Sequence, residues 1–554
     1  MLKKIIGFLF ITATLCVFIF SCGNNPSEGN EKNEGKTAFG KFWRSLAGNF
    51  SNSDTFYIQP GAIDSFLLKY PEFNTFKPDL EKFYSERDSA FAWYDRKGLI
   101  EQAAHLVNRL DNIDHDLPGD TVMYYEPLMV LMDRPNRSKN REELELMLTS
   151  QYFFIAHKIW QGMSDKEVKK QGWYVPREKV STTEYLDSLL KNDASLKEEP
   201  VNPMYFKLRE QISRYRDILQ QNPNLPEIQY VRDLKPGDTA AVISEICQRL
   251  YLLGDLKKAY QSNLFDDQLL EAVHTFQERH GIKVTDIINK KFISALNIPL
   301  VKRLEKLVIN LERARWLPAA FSDSSSYILV NIPEFMVRIW EGEQPVWESR
   351  VVVGEDNNRT VIFRGMLDHI VFSPHWNIPE SIVVNEILPS LEKDKDYLKK
   401  QQLEIVDESG DIPVIRQKPG KENALGQVKF MFPNTYNIYL HDSPAKHLYD
   451  REVRTFSHGC IRVEKAEELA VTLLKETGKW DREAVKQAME SGEEKYVKLP
   501  RKLPVYILYF TTWVDENNRV HFGEDIYGYD ARLAASLFKE TGGINLNKAL
   551  VFRE

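Results

Sequence analysis

The sequence predicts a multidomain α+β protein: a helical scaffold first, then a small three-helix module, then a mainly-β domain carrying a long capping insertion. Three observations lead there. The chain has 554 residues, enough for about three or four domains. From about 37 to 225, apolar side chains recur at three- and four-residue steps, as in Leu99 to Leu110 and Glu142 to Trp160, the period of a helix with one buried face. Beyond Pro318 the period drops to two, and β-branched and aromatic residues take over, which marks half-buried strands.

Composition narrows the classes. Charged residues make up 28% and the net charge is −7, so there is no basic footprint for nucleic acid, and none is expected as a partner. Of four cysteines, Cys16 and Cys22 fall in the N-terminal segment, leaving Cys247 and Cys460 for the body. That is no disulfide framework. No cofactor is called for.

The elements follow in order. Lys3 and Lys4 precede an apolar run from Ile5 to Phe20 that is short for a membrane span, and Ile19-Phe20-Ser21-Cys22 ends it with a small residue before cysteine. This resembles a bacterial lipoprotein signal. The resemblance implies removal of residues 1–21, lipidation of Cys22 and a flexible tether over 22–36. It places the protein on the bacterial cell envelope, membrane-anchored by lipid and facing the periplasm, at the outer membrane where there are two. A plain transmembrane anchor is the alternative, and both readings put the body outside the cytoplasm.

Residues 37–225 form the expected scaffold domain, whose Leu, Phe and Tyr stripes read as core; His105, His115 and His157 are isolated and read as structural. In 226–300, Arg249-Leu250, Gly254-Asp255-Leu256, Phe265-Asp266, Ala272-Val273, Phe276-Gln277, His280-Gly281 and Ala295-Leu296-Asn297 resemble the peptidoglycan-binding domain family, a three-helix module. Val284-Thr285-Asp286-Ile287 stands where that family has an Asp-Gly turn, so a purely architectural module competes with a glycan-binding one. A linking helix around Asn310 to Pro318 leads into strands at Tyr327 to Ile332, Met336 to Glu341, Val346 to Val353, His369 to Phe372 and Tyr436 to His441. On the last strand His441 shares a face with Tyr439 and Asn437, while Asp442 turns away. A backbone carbonyl, rather than that carboxylate, is therefore expected to orient the imidazole. The connection 377–428 is too long for a loop and reads as a cap over the site. Residues 531–554 read as a C-terminal extension.

The chemistry concentrates in Ser457-His458-Gly459-Cys460-Ile461-Arg462-Val463, with His441 nineteen residues before Cys460. A free thiol titrates near about 8.5 and needs an imidazole or a positive field to activate it. Cys460 is thus the expected nucleophile, and His441 is expected to lower its pKa and to move protons. Gly459 permits a backbone that cradles an oxyanion. His458 is balanced between packing and a direct role. Arg462 shares the face of Cys460 on an extended backbone, where it either holds a substrate carboxylate or braces the loop through a salt bridge. Tyr439, Trp376 and Ser457 are candidate substrate contacts. Cys247, in a helical run, reads as a small buried hydrophobe.

These blocks, together with Ser373-Pro374-His375-Trp376-Asn377-Ile378-Pro379, His441-Asp442-Ser443-Pro444, the Asn310 to Pro318 helix and Phe522-Gly523-Glu524-Asp525-Ile526-Tyr527-Gly528, resemble the L,D-transpeptidases. The domain order resembles their large periplasmic subgroup, with the catalytic domain over 301–530. The resemblance implies that Cys460 attacks the carbonyl of the third residue of a tetrapeptide stem, releases the terminal D-alanine and forms a thioester. The amine of a second stem's diamino acid then resolves it, with His441 shuttling protons and amides near Gly459 and Cys460 holding the oxyanion. Peptidoglycan stem peptides and glycan are the implied partners, and cell wall biogenesis and cell shape the implied role; a wall-synthase partner is left open. Three readings compete: a carboxypeptidase or endopeptidase in which water replaces the amine, a zinc site built from His441, His447, His458 and Cys460, and an inactive peptidoglycan-anchoring scaffold. The zinc reading is the weakest by spacing, since paired ligands at short intervals are missing, and the intact Cys460 and His441 argue against the last.

Overall fold

The computed structural model describes residues 56–538 apart from 96, 112, 114–121, 139, 178–180, 191–199 and 322–325. The export segment with Cys16 and Cys22, the tether, His115 and most of the expected C-terminal extension lie outside the described residues. Among the described residues no helix is long and apolar enough to cross a membrane.

Helix Arg141–Ala156 is buried on all sides from Leu144 onward, as a helix is when others surround it, and the scaffold packs about it. Two strand segments interrupt a stretch expected to be helical: a hairpin of Tyr94–Asp95 with Gly98–Leu99, and Trp173–Tyr174. The second leaves the scaffold and pairs in parallel with Ile362 and Phe363 of the main sheet. Its cause is tertiary. Trp173 is buried against Trp316 at 5.4 Å and Phe510 at 5.9 Å, and burial of so large a ring outweighs local helical preference.

The three helices expected in 226–300 are Val242–Leu253, Asp267–Arg279 and Lys290–Leu296. Asp266 and Asn289 cap the second and third through their side chains, each accepting an N–H three residues on. Part of the module's polar surface faces the rest of the protein rather than solvent. Arg279 pairs with Asp255 through Nε at 2.8 Å and Nη2 at 2.7 Å and also donates to the Val520 carbonyl. Beside them His280 stacks on Phe522 at 5.5 Å and meets Arg303 through Nε2 at 2.6 Å. His280-Gly281 and Gly254-Asp255-Leu256 thus serve, at least in part, to join the module to the β half.

The β half is built from Trp173–Tyr174 (β1), Ser326–Asn331 (β2), Met336–Glu341 (β3), Gln344–Gly354 (β4), Ile362–Phe372 (β5), Val428–Met431 (β6), Leu440–His441 (β7), Thr455–Ser457 (β8), Ile461–Val463 (β9) and Lys495–Leu508 (β10). In order β6-β7-β9-β4-β3-β2-β10-β5 they form one sheet, and β6 pairs with β5 as well as β7, so the sheet closes on itself. β1 extends it beyond β5, and β8 lies parallel to β4. The strand expected over Tyr436 to His441 shortens to Leu440–His441. The Asn434 side chain is responsible: it accepts from the N–H groups of Tyr436 and Ile438 and donates to the carbonyls of Phe432 and Ile438, and Asn437 sits at φ 55°. A side chain that satisfies the backbone locally competes with strand pairing.

The insertion 377–428 has its own small apolar core of Ile378, Ile382, Val383, Ile387 and Ile415, beside a three-stranded sheet of Trp376–Asn377, Leu403–Asp407 and Val414–Gln417. At the other end, helix Tyr529–Leu537 runs across the expected boundary at 531, and Asp530 pairs with the buried Arg313 at 2.6 Å.

The joint at Arg279 gives a test. Arg279→Ala strands Asp255, fully buried as a side chain, at a cost of about 3–5 kcal/mol. A lower thermal unfolding midpoint, with faster proteolysis of the β half as well as the module, is expected; an unchanged midpoint contradicts the joint.

Candidate active site

Cys460 sits on a tight turn between β8 and β9. Ser457, buried, donates its hydroxyl to the Cys460 carbonyl at 2.5 Å and accepts the Gly459 N–H at 3.2 Å, closing the turn from within. Gly459 lies at φ 109°, which a side chain rarely tolerates. Its carbonyl accepts from Thr360 Oγ1 at 2.8 Å, the same oxygen that receives the Gly354 N–H at 2.9 Å. Tyr527 completes the brace by donating to the Gly354 carbonyl at 2.6 Å. The oxyanion role expected of both amides divides here: Gly459 N–H is spent on Ser457, whereas the Cys460 N–H has no acceptor among the described residues.

Cys460 is partly exposed, and its thiol donates to the Asn437 carbonyl at 3.5 Å rather than to the imidazole. Tyr439, a candidate substrate contact, lies near enough for its backbone and phenol to favour the sulfur's anionic form. His441, 4% exposed, has Nδ1 2.5 Å from the Asp442 carbonyl. A carbonyl only accepts, so Nδ1 carries the proton and Nε2 of the neutral ring carries the lone pair. The expectation of a backbone carbonyl in this role is met. The Asp442 carboxylate faces elsewhere, taking Lys446 Nζ at 2.6 Å and the Gln427 N–H at 3.0 Å.

Register supplies the electrostatics. Lys429 on β6 stands opposite His441 on β7, and His441 stands opposite Arg462 on β9. Their strand neighbours Val428, Phe430, Leu440, Ile461 and Val463 belong to the main core, so the three polar side chains form a cross-strand row on the opposite face. Burial, then the Arg462 charge, lowers the His441 imidazole to about 3, with Lys429 adding to the effect and the Asp442 and Leu425 backbone opposing it. Burial also pushes the Cys460 thiol above its ordinary value, against the Tyr439 donors and the Arg462 charge. The resting pair is therefore a neutral thiol and a neutral imidazole. Both shifts run against the expectation that His441 holds the sulfur as thiolate: that field requires an imidazolium, and a dry site between two cations disfavours one.

The remaining candidates divide. His458 is exposed and bonds through Nε2 to Glu386 of the insertion at 3.0 Å, so it ties the cap to the turn rather than packing beside the sulfur. Trp376 packs against the insertion's apolar core. Ser457 is a staple of the turn. Cys247 is fully buried, and burial raises its thiol, as its helical setting indicates. Sequence reasoning missed Lys429, Asn434, Thr360 and Glu386. Lys429 carried a faint signal, a lone lysine in the alternating Val428 to Met431 run.

Residues 325–498 match the family model of the L,D-transpeptidase catalytic domain, and residues 78–212 match that of the scaffold domain. A Haemophilus influenzae protein provisionally named an L,D-transpeptidase is 33% identical over 245 residues, which cover 41% of this chain and 49% of the relative. The chain thus spans about half the length of the curated relative it matches. Among solved structures, an L,D-transpeptidase of Xylanimonas cellulosilytica is 16% identical, covering 50% of this chain and 99% of that one at a TM-score of 0.18. One from Stackebrandtia nassauensis is 13% identical, covering 51% and 96% at a TM-score of 0.21. The family models bear out the resemblance to the L,D-transpeptidases over the catalytic region and the scaffold reading over most of the first helical domain.

The neutral pair predicts its own pH behaviour. Alkylation of Cys460 by iodoacetamide rises through a single midpoint above the ordinary thiol value; a reactive plateau between about pH 5 and 7 would require the ion pair and contradict it. His441→Ala leaves that profile nearly in place while turnover falls by about 10²–10⁴. The unfolded imidazole, near 6.5, binds a proton well above the folded value of about 3. The contribution of His441 to stability is therefore present above pH 6.5 and lost as pH falls towards 3, which acid unfolding monitored by circular dichroism reads.

Proposed function

We propose that this protein is a peptidoglycan L,D-transpeptidase that joins third-position residues of two stem peptides through a cysteine thioester. The observation carrying this reading is the placement of Cys460, on a turn where its own N–H is unspent, just before the strand that pairs with the strand of His441, whose Nδ1 is held as a donor by the Asp442 carbonyl. His441 Nε2 takes the thiol proton as sulfur attacks the third-residue carbonyl of a tetrapeptide stem. The oxyanion receives the Cys460 N–H. The imidazolium so formed stands between Lys429 and Arg462 and is a strong acid there, so it passes its proton readily to the departing nitrogen of D-alanine. The thioester remains. The amine of a second stem, deprotonated by the regenerated imidazole, attacks it and restores the thiol.

Water attacking the same thioester gives a carboxypeptidase or endopeptidase, and products separate the two. The setting belongs to the same proposal: lipidation at Cys22, a position facing the periplasm on the bacterial envelope, and a part in wall biogenesis and cell shape. The module at 226–300 contributes mainly architecture, because its Arg279 and His280 are committed to the joint with the β half.

The experiment is mass analysis of muropeptides after incubating purified protein with tetrapeptide-containing peptidoglycan. Cross-linked dimers that have lost D-alanine are expected from wild type and Cys247→Ala, and none from Cys460→Ala. Tripeptides without dimers make the enzyme a hydrolase, and equal loss in both cysteine variants removes the assigned nucleophile.

A further inference from the structure

Lys429 and Arg462 carry charge that the protein itself does not neutralise. Neither side chain has a carboxylate or other hydrogen-bond partner among the described residues, and Arg462 Nε is buried with none. The acids nearby are committed elsewhere: Asp442 to Lys446 and the Gln427 N–H, Glu464 to Arg350, and Glu494 to the His375 N–H. Glu494 acts on Lys429 only through its charge at a distance. The salt bridge that would make Arg462 a brace of the loop is absent among these residues. Tyr449, the buried phenol within electrostatic reach of Arg462, also has an unpartnered hydroxyl.

Two half-buried cations flanking an imidazole across adjacent strands repel one another and lose hydration. A fold keeps such an arrangement where a ligand completes it. Its place matches the chemistry beside it. Arg462 lies two residues along β9 from Cys460, about 7 Å, and Lys429 lies two strands from Arg462, about 10 Å, with His441 between them. A leaving amino acid whose nitrogen takes its proton from His441 has its carboxylate one carbon further on, within reach of both long side chains.

We infer that Lys429 and Arg462 form a carboxylate subsite that receives the free C-terminal carboxylate of the donor stem's last residue. The inference rests on the proposed function, which already has the donor end one residue beyond the attacked carbonyl, and adds to it the two side chains that recognise that end. A stem carrying a neutral amide there leaves both cations unpaired.

Two measurements test it. The first compares alkylation of Cys460 by iodoacetate and by iodoacetamide, which differ by one negative charge, in wild type, Lys429→Met and Lys429→Arg. The iodoacetate-to-iodoacetamide rate ratio is expected to fall about tenfold in Lys429→Met and to persist in Lys429→Arg. An unchanged ratio in a folded Lys429→Met protein overturns the subsite, and this assay needs no peptidoglycan chemistry. The second uses three synthetic donor stems: free, amidated at the C-terminus, and amidated at the third-residue side-chain carboxylate. Wild type is expected to favour the free stem over the C-terminal amide by about 10- to 100-fold in kcat/KM, a preference that collapses in Lys429→Met. If the preference instead tracks the third-residue carboxylate, the assignment to the C-terminal group is overturned. If the alkylation ratio falls while no stem is turned over, the anion site stands, and both the stem assignment and the proposed function fail.

Discussion

The hydrogen bond from His441 Nδ1 to the Asp442 carbonyl, 2.5 Å long, fixes which nitrogen of the imidazole can work as a base, and the rest of the site is arranged to keep it. The carbonyl is held because its own side chain is held: the Asp442 carboxylate is anchored by Lys446 and the Gln427 N–H. Gly426 leaves the room, since a Cβ there would lie 2.3 Å from Asp442 Oδ2. An acid that looks like a third catalytic member acts instead as the mount for its own backbone.

Neutrality of the resting pair follows from the same geometry. An imidazole in a dry site between two cations stays unprotonated, so it is available as a base over the whole ordinary pH range. In the proposed reaction the imidazolium formed from the thiol proton is unusually acidic, which favours onward transfer to the leaving nitrogen. A permanent thiolate–imidazolium pair gives up that second advantage for the first. The turn around Gly459 is held on the far side by Thr360 and Tyr527, so residues from two distant parts of the chain keep the sulfur in place.

Much of this was legible in the sequence, and what was not has a physical reason. The strand Met336–Glu341 and the short helices of 242–296 follow from periodicity and capping residues, both local properties. Cys460 and His441 stood out because their residue types are costly away from chemistry. Lys429 did not, because its place beside His441 depends on the register of β6 against β7, which no local pattern encodes. Trp173–Tyr174 looked helical because its partner strand is nearly two hundred residues away. The direction of the thiol shift was misjudged because burial, the dominant cause, is a property of the folded site. The linking helix Leu300–Arg315 was recognised by its motif, yet its role required the fold: Asn310 bonds Thr511, Arg313 pairs with Asp530, and Glu312 receives the Met163 N–H from the scaffold.

Whether Cys460 forms an acyl-enzyme with His441 as its proton carrier is decided by the intermediate itself. Intact-protein mass spectrometry with peptide mapping, after mixing the protein with a tetrapeptide donor and no acceptor amine, reads it most directly. An adduct is expected on the peptide containing Cys460 with the mass of the donor less D-alanine, formed slowly or not at all in His441→Ala. An adduct retaining the full donor mass, one mapped to another residue, or one formed at the wild-type rate without His441 would contradict it.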